Sequence, residues 1–392
     1  MTRGDGPART YDAAMSAPAT AAPRADSTRF SPVAEIATPR RRLAVETESL
    51  VGGVAAGAST ILVAMLSFFG SEWPLWGGWS VGALAAIAVI VSGVAVAVTG
   101  YWRARELPGQ EWRHELRPWK FSLDVATVSA VHAIIAGLIT VMVFVLLQRS
   151  FEGLVVDPWI GAGASGVASG LAAYWIYLSV SSITTPKLAS LLVVFMSITV
   201  LTSMATSQDP RWWEIHFSQL GTANDFSSAM FNIALVVAGT FVITFAMYVF
   251  RDLSALVRQG VLAHAWTPRL VSVVFVVMGV LLACVGVFPF DVNLFMHNTS
   301  AIGMSLSFLA LLISAPWVLR GMPSRFFVFC TGAIVVLLGG ALLFEPIEYW
   351  NLTAFELVAF STIFGWIAVF IRFVSALSTQ HADDGADGGY SV

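Results

Sequence analysis

The chain has 392 residues, of which 57% are hydrophobic and only 11% charged, with a net charge of -3 and a mean hydropathy of +0.77. Soluble domains carry about 25% charged residues, so a water-soluble fold is excluded. The near-neutral balance, with basic residues scattered over short connections, gives no surface for nucleic acid.

Residues 1–42 are rich in Ala, Pro, Ser and Arg and lack an apolar core, which predicts a disordered tail rather than a signal peptide. Beyond them, apolar blocks of about 20 residues recur, the length a helix needs to cross roughly 30 Å of hydrocarbon. Polar and apolar residues do not alternate along them as they would in barrel strands. The fold class is therefore an all-α integral membrane protein with about ten transmembrane helices. Spans are predicted at 44–69, 80–100, 121–147, 160–182, 188–206, 227–250, 269–288, 298–319, 326–344 and 354–376. They divide into a four-helix region, 43–187, and a six-helix region, 188–376, and an acidic, flexible tail is expected over 377–392.

Charge sets the orientation, because Lys- and Arg-rich connections stay cytoplasmic. With both termini inside, all of the 21 basic residues except Arg149 and Arg211 fall on the cytoplasmic side. The outer connections instead collect Glu72, Asp157, Asp209, Glu214, Asp225, Asp291, Glu345 and Glu348. One missed span would invert every later connection and destroy this split. Trp73, Trp76, Trp79, Trp159, Trp212, Trp213 and Trp350 form an interfacial belt on the outer side. The preference for Arg over Lys in an Ala- and Val-rich chain points to a GC-rich bacterial genome, and so to a multi-pass protein of the bacterial cytoplasmic membrane.

The fourth span reads GAGASGVASGLAAYW, and its Gly166 and Gly170 have the spacing of a close helix-packing face. Cys284 and Cys330 both lie in apolar segments and read as small buried hydrophobes, with no disulfide framework or thiolate metal site. Glycine-rich phosphate loops ending in GK, HExxH and CxxC are all absent. The sequence names no cofactor, metal or protein partner; the partner it does imply is the lipid bilayer.

What remains are polar residues in or beside the membrane, where an ionisable group is expensive and becomes a candidate for function. The third span places Asp124, Ser129 and His132 within about two and a half turns. Asp124 is expected in the first helical turn, near water and favoured by the helix dipole. His132, near the middle of the span, is either bonded to a neighbouring helix or part of a ligand site.

A second group gathers at the outer face. Between the fifth and sixth spans, 210–220 is predicted as a short interfacial helix started by Asp209 and stopped by Gly221, carrying Glu214, His216 and Ser218. Asp225 follows as a cap of the sixth span, and Asn232 lies one to two turns into it. The connection GVFPFDVNLFMHNTSA adds Asp291, His297 and Asn298. Two histidines with carboxylates suffice chemically for a metal or general-base site, or they are separate caps and solvated loop residues. Thr353 and Glu356 have the TxxE spacing of a capping box. His132 sits too deep to share a ligand sphere with His216 and His297, so two candidate sites are expected.

The stretches HFSQLGTANDFSSAMFNIALVVAGTF and GVFPFDVNLFMHNTSA resemble a prokaryotic membrane family known as domain of unknown function 998. The matching residues are Ser218, Leu220, Gly221, Phe231, Asn232, Gly239, Phe288, Pro289, His297 and Asn298, and the resemblance covers about 188–376. It directs attention to the outer face without naming a reaction.

The leading expectation is a protein that binds or modifies a lipid or lipid-linked envelope precursor at the extracytoplasmic face. His216, His297, Asp225 and Asp291 would be catalytic, and Ser218, Asn232, Asn298, His132 and Asp124 would bind substrate. A transporter or flippase is the alternative, disfavoured by nearly charge-free spans and the lack of an internal repeat. An accessory subunit that assembles through the Gly166 and Gly170 face is the third reading.

Overall fold

The computed structural model describes residues 39–107 and 110–387. Among them are ten α-helices: α1 Pro39–Phe68, α2 Val81–Ala104, α3 Pro118–Ser150, α4 Pro158–Ser181, α5 Thr185–Thr206, α6 Phe226–Arg258, α7 Thr267–Val287, α8 Leu294–Val318, α9 Ser324–Phe344 and α10 Leu352–Asp387. Nine are long and apolar enough to cross a membrane, and α4 is the exception. At 24 residues α4 has the length; its Gly, Ala and Ser content lowers its hydropathy. The protein is an all-α, multi-pass membrane protein.

Both tails depart from expectation where they are described. Residues 39–42, assigned to the N-terminal tail, already belong to α1, while 1–38 lie outside the described residues. At the other end, α10 continues through 377–387, and 388–392 lie outside the described residues. No proline interrupts the sequence after Ile371, and the first glycine of the tail is Gly385, so nothing breaks the i to i-4 ladder earlier.

Hydrogen bonds between connections sort them onto two faces. Strands β1 Trp73–Pro74 and β2 Val155–Val156 pair antiparallel, joining the α1–α2 and α3–α4 connections. Asn351 Nδ2 donates to the Trp213 carbonyl at 2.6 Å, joining the α9–α10 and α5–α6 connections. These lie on what is here termed the acidic face. On the opposite, basic face, Gln110 Nε2 donates to the Ile183 carbonyl, and Ala263 N–H donates to the Arg320 carbonyl.

Close backbone approach holds the bundle in two places. A Cβ on Gly57 would lie 3.0 Å from the Gly166 carbonyl oxygen, and one on Gly170 would lie 3.0 Å from the Gly53 carbonyl oxygen. The α4 glycines thus meet a second pair with the same spacing on α1, so the face expected to serve an assembly is occupied within the chain. Between α6 and α7, a Cβ on Gly239 would fall 2.4 Å from the Gly279 carbonyl oxygen, and one on Gly279 2.6 Å from that of Gly239. In lipid, where apolar burial gives no driving force, such contacts supply the packing attraction. Helices α1 and α2 pack on α4, α5 and α7 pack on α6, and α3 bridges the two groups through α5 and α6. One apolar core runs through both.

Candidate functional site

The α5–α6 connection does not form the single helix expected over 210–220. Asp209 Oδ1 accepts the Arg211 N–H at 2.9 Å, as a starting cap would. Two 3-10 turns follow instead, Trp212–Glu214 and Phe217–Gly221, with Ile215 and His216 between them. The break is made by the start of α10, where the Glu356 carboxylate takes the Phe217 N–H at 2.6 Å and Asn351 takes the Trp213 carbonyl. Backbone groups that a continuous helix would pair internally are captured from outside. The capping box expected from Thr353 and Glu356 is not formed. Because α10 begins at Leu352, Asn351 is its cap, accepting the Ala354 N–H at 3.0 Å, and Thr353 Oγ1 is buried without a hydrogen-bond partner.

Helix α8 also begins earlier than expected, capped by Asn293, so His297 sits in its first turn rather than in a loop. The His297 side chain is 4% exposed. Its Nδ1 lies 2.9 Å from the Phe288 carbonyl oxygen at the end of α7, and its Nε2 lies 2.9 Å from Ser218 Oγ. A carbonyl can only accept, so Nδ1 carries the proton and Nε2 is the acceptor for the serine hydroxyl. Ser218, His297 and the Phe288 carbonyl stand in series, in the order that a nucleophile, a base and an orienting group would take, brought together from the α5–α6 connection, the first turn of α8 and the end of α7.

His216 joins them. Its ring packs 4.2 Å from the Phe290 centroid, and His297 packs against the same ring at 5.9 Å. His216 Nδ1 is buried without a hydrogen-bond partner. Burial, and secondarily the neighbouring His297, push the His216 pKa below its usual value. The folded protein thus resists protonation that the unfolded chain accepts near pH 6.5. This contribution to stability is fully present above that pH and is lost as pH falls toward the folded pKa. Thermal unfolding of the wild type at pH 7.5 and 5.5, compared with His216→Gln, is expected to show a smaller acid loss in the variant. Equal losses would show that His216 is freely solvated.

The remaining acidic-face candidates divide. Asp225 caps α6 in a reciprocal box with Ser228, accepting its N–H at 2.8 Å, and Asn232 Nδ2 donates to the Gly221 carbonyl at 2.8 Å. Both line an open cleft of about 370 Å³, with Gly221, Pro289 and Asp291 among its walls. Asp291 and Asn298 are exposed. Among the described residues, no three His, Cys, Asp or Glu side chains are grouped to hold a metal ion.

Comparison with protein-family models, curated proteins and solved structures gives no significant match.

His132 belongs to a separate place. Its Nδ1 pairs with the Val128 carbonyl at 2.8 Å and its Nε2 with Ser179 Oγ at 2.9 Å. It lines a mainly apolar cavity of about 490 Å³ between α3, α4 and α5, with Lys187 at its rim. Asp124 differs from expectation more sharply. Helix α3 starts at Pro118, so Asp124 lies in the second turn, fully buried, and neither carboxylate oxygen has a hydrogen-bond partner. Arg113, in the α2–α3 connection where sequence alone suggests a solvated charge, is only 2% exposed. The flanking Trp112 was the available signal, since a guanidinium can enter an apolar bundle over aromatic faces.

Proposed function

We propose that this protein binds and modifies a lipid or lipid-linked envelope precursor at the acidic, extracytoplasmic face of the bacterial cytoplasmic membrane, with Ser218 as nucleophile and His297 as general base. The observation that carries the reading is the 2.9 Å approach of Ser218 Oγ to an acceptor nitrogen of His297 whose other nitrogen is held by the Phe288 carbonyl. In acyl transfer, Ser218 Oγ would bond to an ester carbonyl carbon as its proton moves to His297 Nε2. The imidazolium would then give that proton to the departing alcohol.

The surroundings favour a lipid. Trp213, Ile215, Phe226, Val292, Leu294 and Phe295 are all exposed large apolar side chains on the α5–α6 and α7–α8 connections and the first turns of α6 and α8 that follow them. They form a rim suited to the headgroup and acyl boundary, beside a cleft with polar walls. The resemblance of 188–376 to domain of unknown function 998 is part of this proposal. What supports it is that the matching residues interlock: Ser218 with His297, Gly221 with Asn232, and Gly239 at the α6–α7 contact.

The test uses a serine-reactive fluorophosphonate and phospholipid vesicles. Purified wild-type protein is expected to be labelled and to release fatty acid, and Ser218→Ala to do neither while melting at the same temperature. If Ser218→Ala is labelled like the wild type, or if neither is labelled, the Ser218–His297 contact only ties the α5–α6 connection to α8.

A further inference from the structure

A second polar assembly lies inside the bundle toward the basic face. The 3-10 turn Glu111–Glu115, between α2 and α3, sends the Arg113 side chain inward until it is 2% exposed. Its guanidinium lies over the Tyr101 ring at 4.2 Å, and Nη2 donates to Tyr248 Oη at 3.0 Å. Tyr248 and Tyr101 share a hydroxyl–hydroxyl bond of 2.9 Å. Arg113 Nε and Nη1 make no hydrogen bond to another protein group, nor do Asp124 Oδ1 and Oδ2. The Thr244 hydroxyl lies close enough to that carboxylate to favour its charged form, and it is also bonded to Thr127 at 3.0 Å.

Four buried hydrogen-bonding atoms on two groups of opposite charge are thus left without a protein partner. The two groups feel each other's charge but do not form a direct ion pair. Burying unpaired charge in this way is far more costly than hydrating or neutralising it. Water between the guanidinium and the carboxylate would satisfy the open atoms, and a proton on the carboxylate would remove its charge. Tyr101 on α2, Arg113 on the turn, Tyr248 on α6 and Lys120 on α3 are the ionisable groups that bear on Asp124. Among the described residues α4 and α5, which also pack on α3, bring none to bear on it. Arg251, one turn beyond Tyr248, is paired with Asp252 at 3.0 Å and stacked on Trp112 at 4.9 Å.

We propose that Asp124, Arg113, Tyr101 and Tyr248 form an internal proton-binding site, in which the Asp124 carboxylate exchanges a proton with water held against the Arg113 guanidinium. On loading, an O–H bond forms at the carboxylate and hydronium becomes water; on release the reverse occurs, with Arg113 as the fixed counter-charge. The tyrosine pair links this gap across α2 and α6, and the turn carrying Arg113 leads to solvent on the basic face. The site is independent of Ser218 and His297 and bears on whether the bundle moves protons or ions.

Infrared difference spectroscopy of the full chain in lipid, stepped from about pH 9 to about pH 4, reads the carboxylic-acid C=O stretch directly. A band that grows on acidification, shifts with 13C-aspartate labelling and is missing in Asp124→Asn is expected. Arg113→Gln should move its midpoint to higher pH by about one unit or more, because the counter-charge is gone. The labelling arm uses wild-type protein and so does not depend on a variant folding. Loss of the same band in Ser218→Ala would place the signal elsewhere. A residue ionised over the whole range would make this a fixed ion pair, and one protonated throughout would make it a permanently neutral acid; either overturns the proposal.

Discussion

Valine at Gly239 is expected to lower the stability of the bundle by about 3 kcal/mol, at the upper end of the usual cost of overpacking. A Cβ there would lie 2.4 Å from the Gly279 carbonyl oxygen, 2.5 Å from Ala283 N and 2.8 Å from Ala283 Cβ. Two of the three are backbone atoms of α7, so relief requires the helices to part along their length. The effect reaches the site, because α6 carries Asn232 and α7 ends at the carbonyl that holds His297. Gly332→Val on α9 is the control, since a Cβ there has open space within 4 Å. Thermal unfolding in detergent reads both; if the two variants melt alike, α6 and α7 do not touch through their backbones.

The second large effect separates chemistry from support. His297→Ala is expected to slow the reaction of Ser218 with an acylating or phosphonylating probe by about a hundredfold to ten-thousandfold, the usual contribution of a positioned base. It should also destabilise the fold by about 1–3 kcal/mol, by leaving the Phe288 carbonyl and the Ser218 hydroxyl without their partner. His297→Gln keeps a side chain able to bond to both, yet it cannot take up a proton near neutral pH. Near-wild-type melting with the full loss of reactivity is therefore the expected result for Gln. Retained reactivity in the Gln variant would remove His297 from the chemistry.

These contrasts show what the sequence carries and what it does not. Apolar block length reveals most helices, because crossing hydrocarbon fixes length and composition together. It also places Ser218, His216 and His297 at one face, and Asp225 as the cap of α6. Their convergence depends on long-range contacts that no local spacing encodes. Glu356 illustrates the loss: TxxE is a local signature, but Asn351 takes the cap and the carboxylate serves Phe217 across the bundle. Arg113 illustrates the converse, a charge in a loop that folds inward because aromatic rings and a tyrosine hydroxyl receive it. The glycines on α4 were legible as a packing face, whereas their partners on α1 were not, since a lone GxxxG does not say what it meets.

The α1–α4 glycine contact has a consequence for how the protein is made. A segment as poor in large apolar side chains as α4 gains little from entering lipid alone, while α1 presents Leu50, Val54, Leu62 and Leu66 outward and is apolar enough to span by itself. During synthesis α1 is committed to the membrane about 100 residues before α4 emerges, and its Gly53 and Gly57 groove then offers α4 a surface to dock on. For α4 the earlier helix is the solvent. Filling that groove should therefore leave α4 stranded at the point of insertion, long before the finished bundle could be tested for stability.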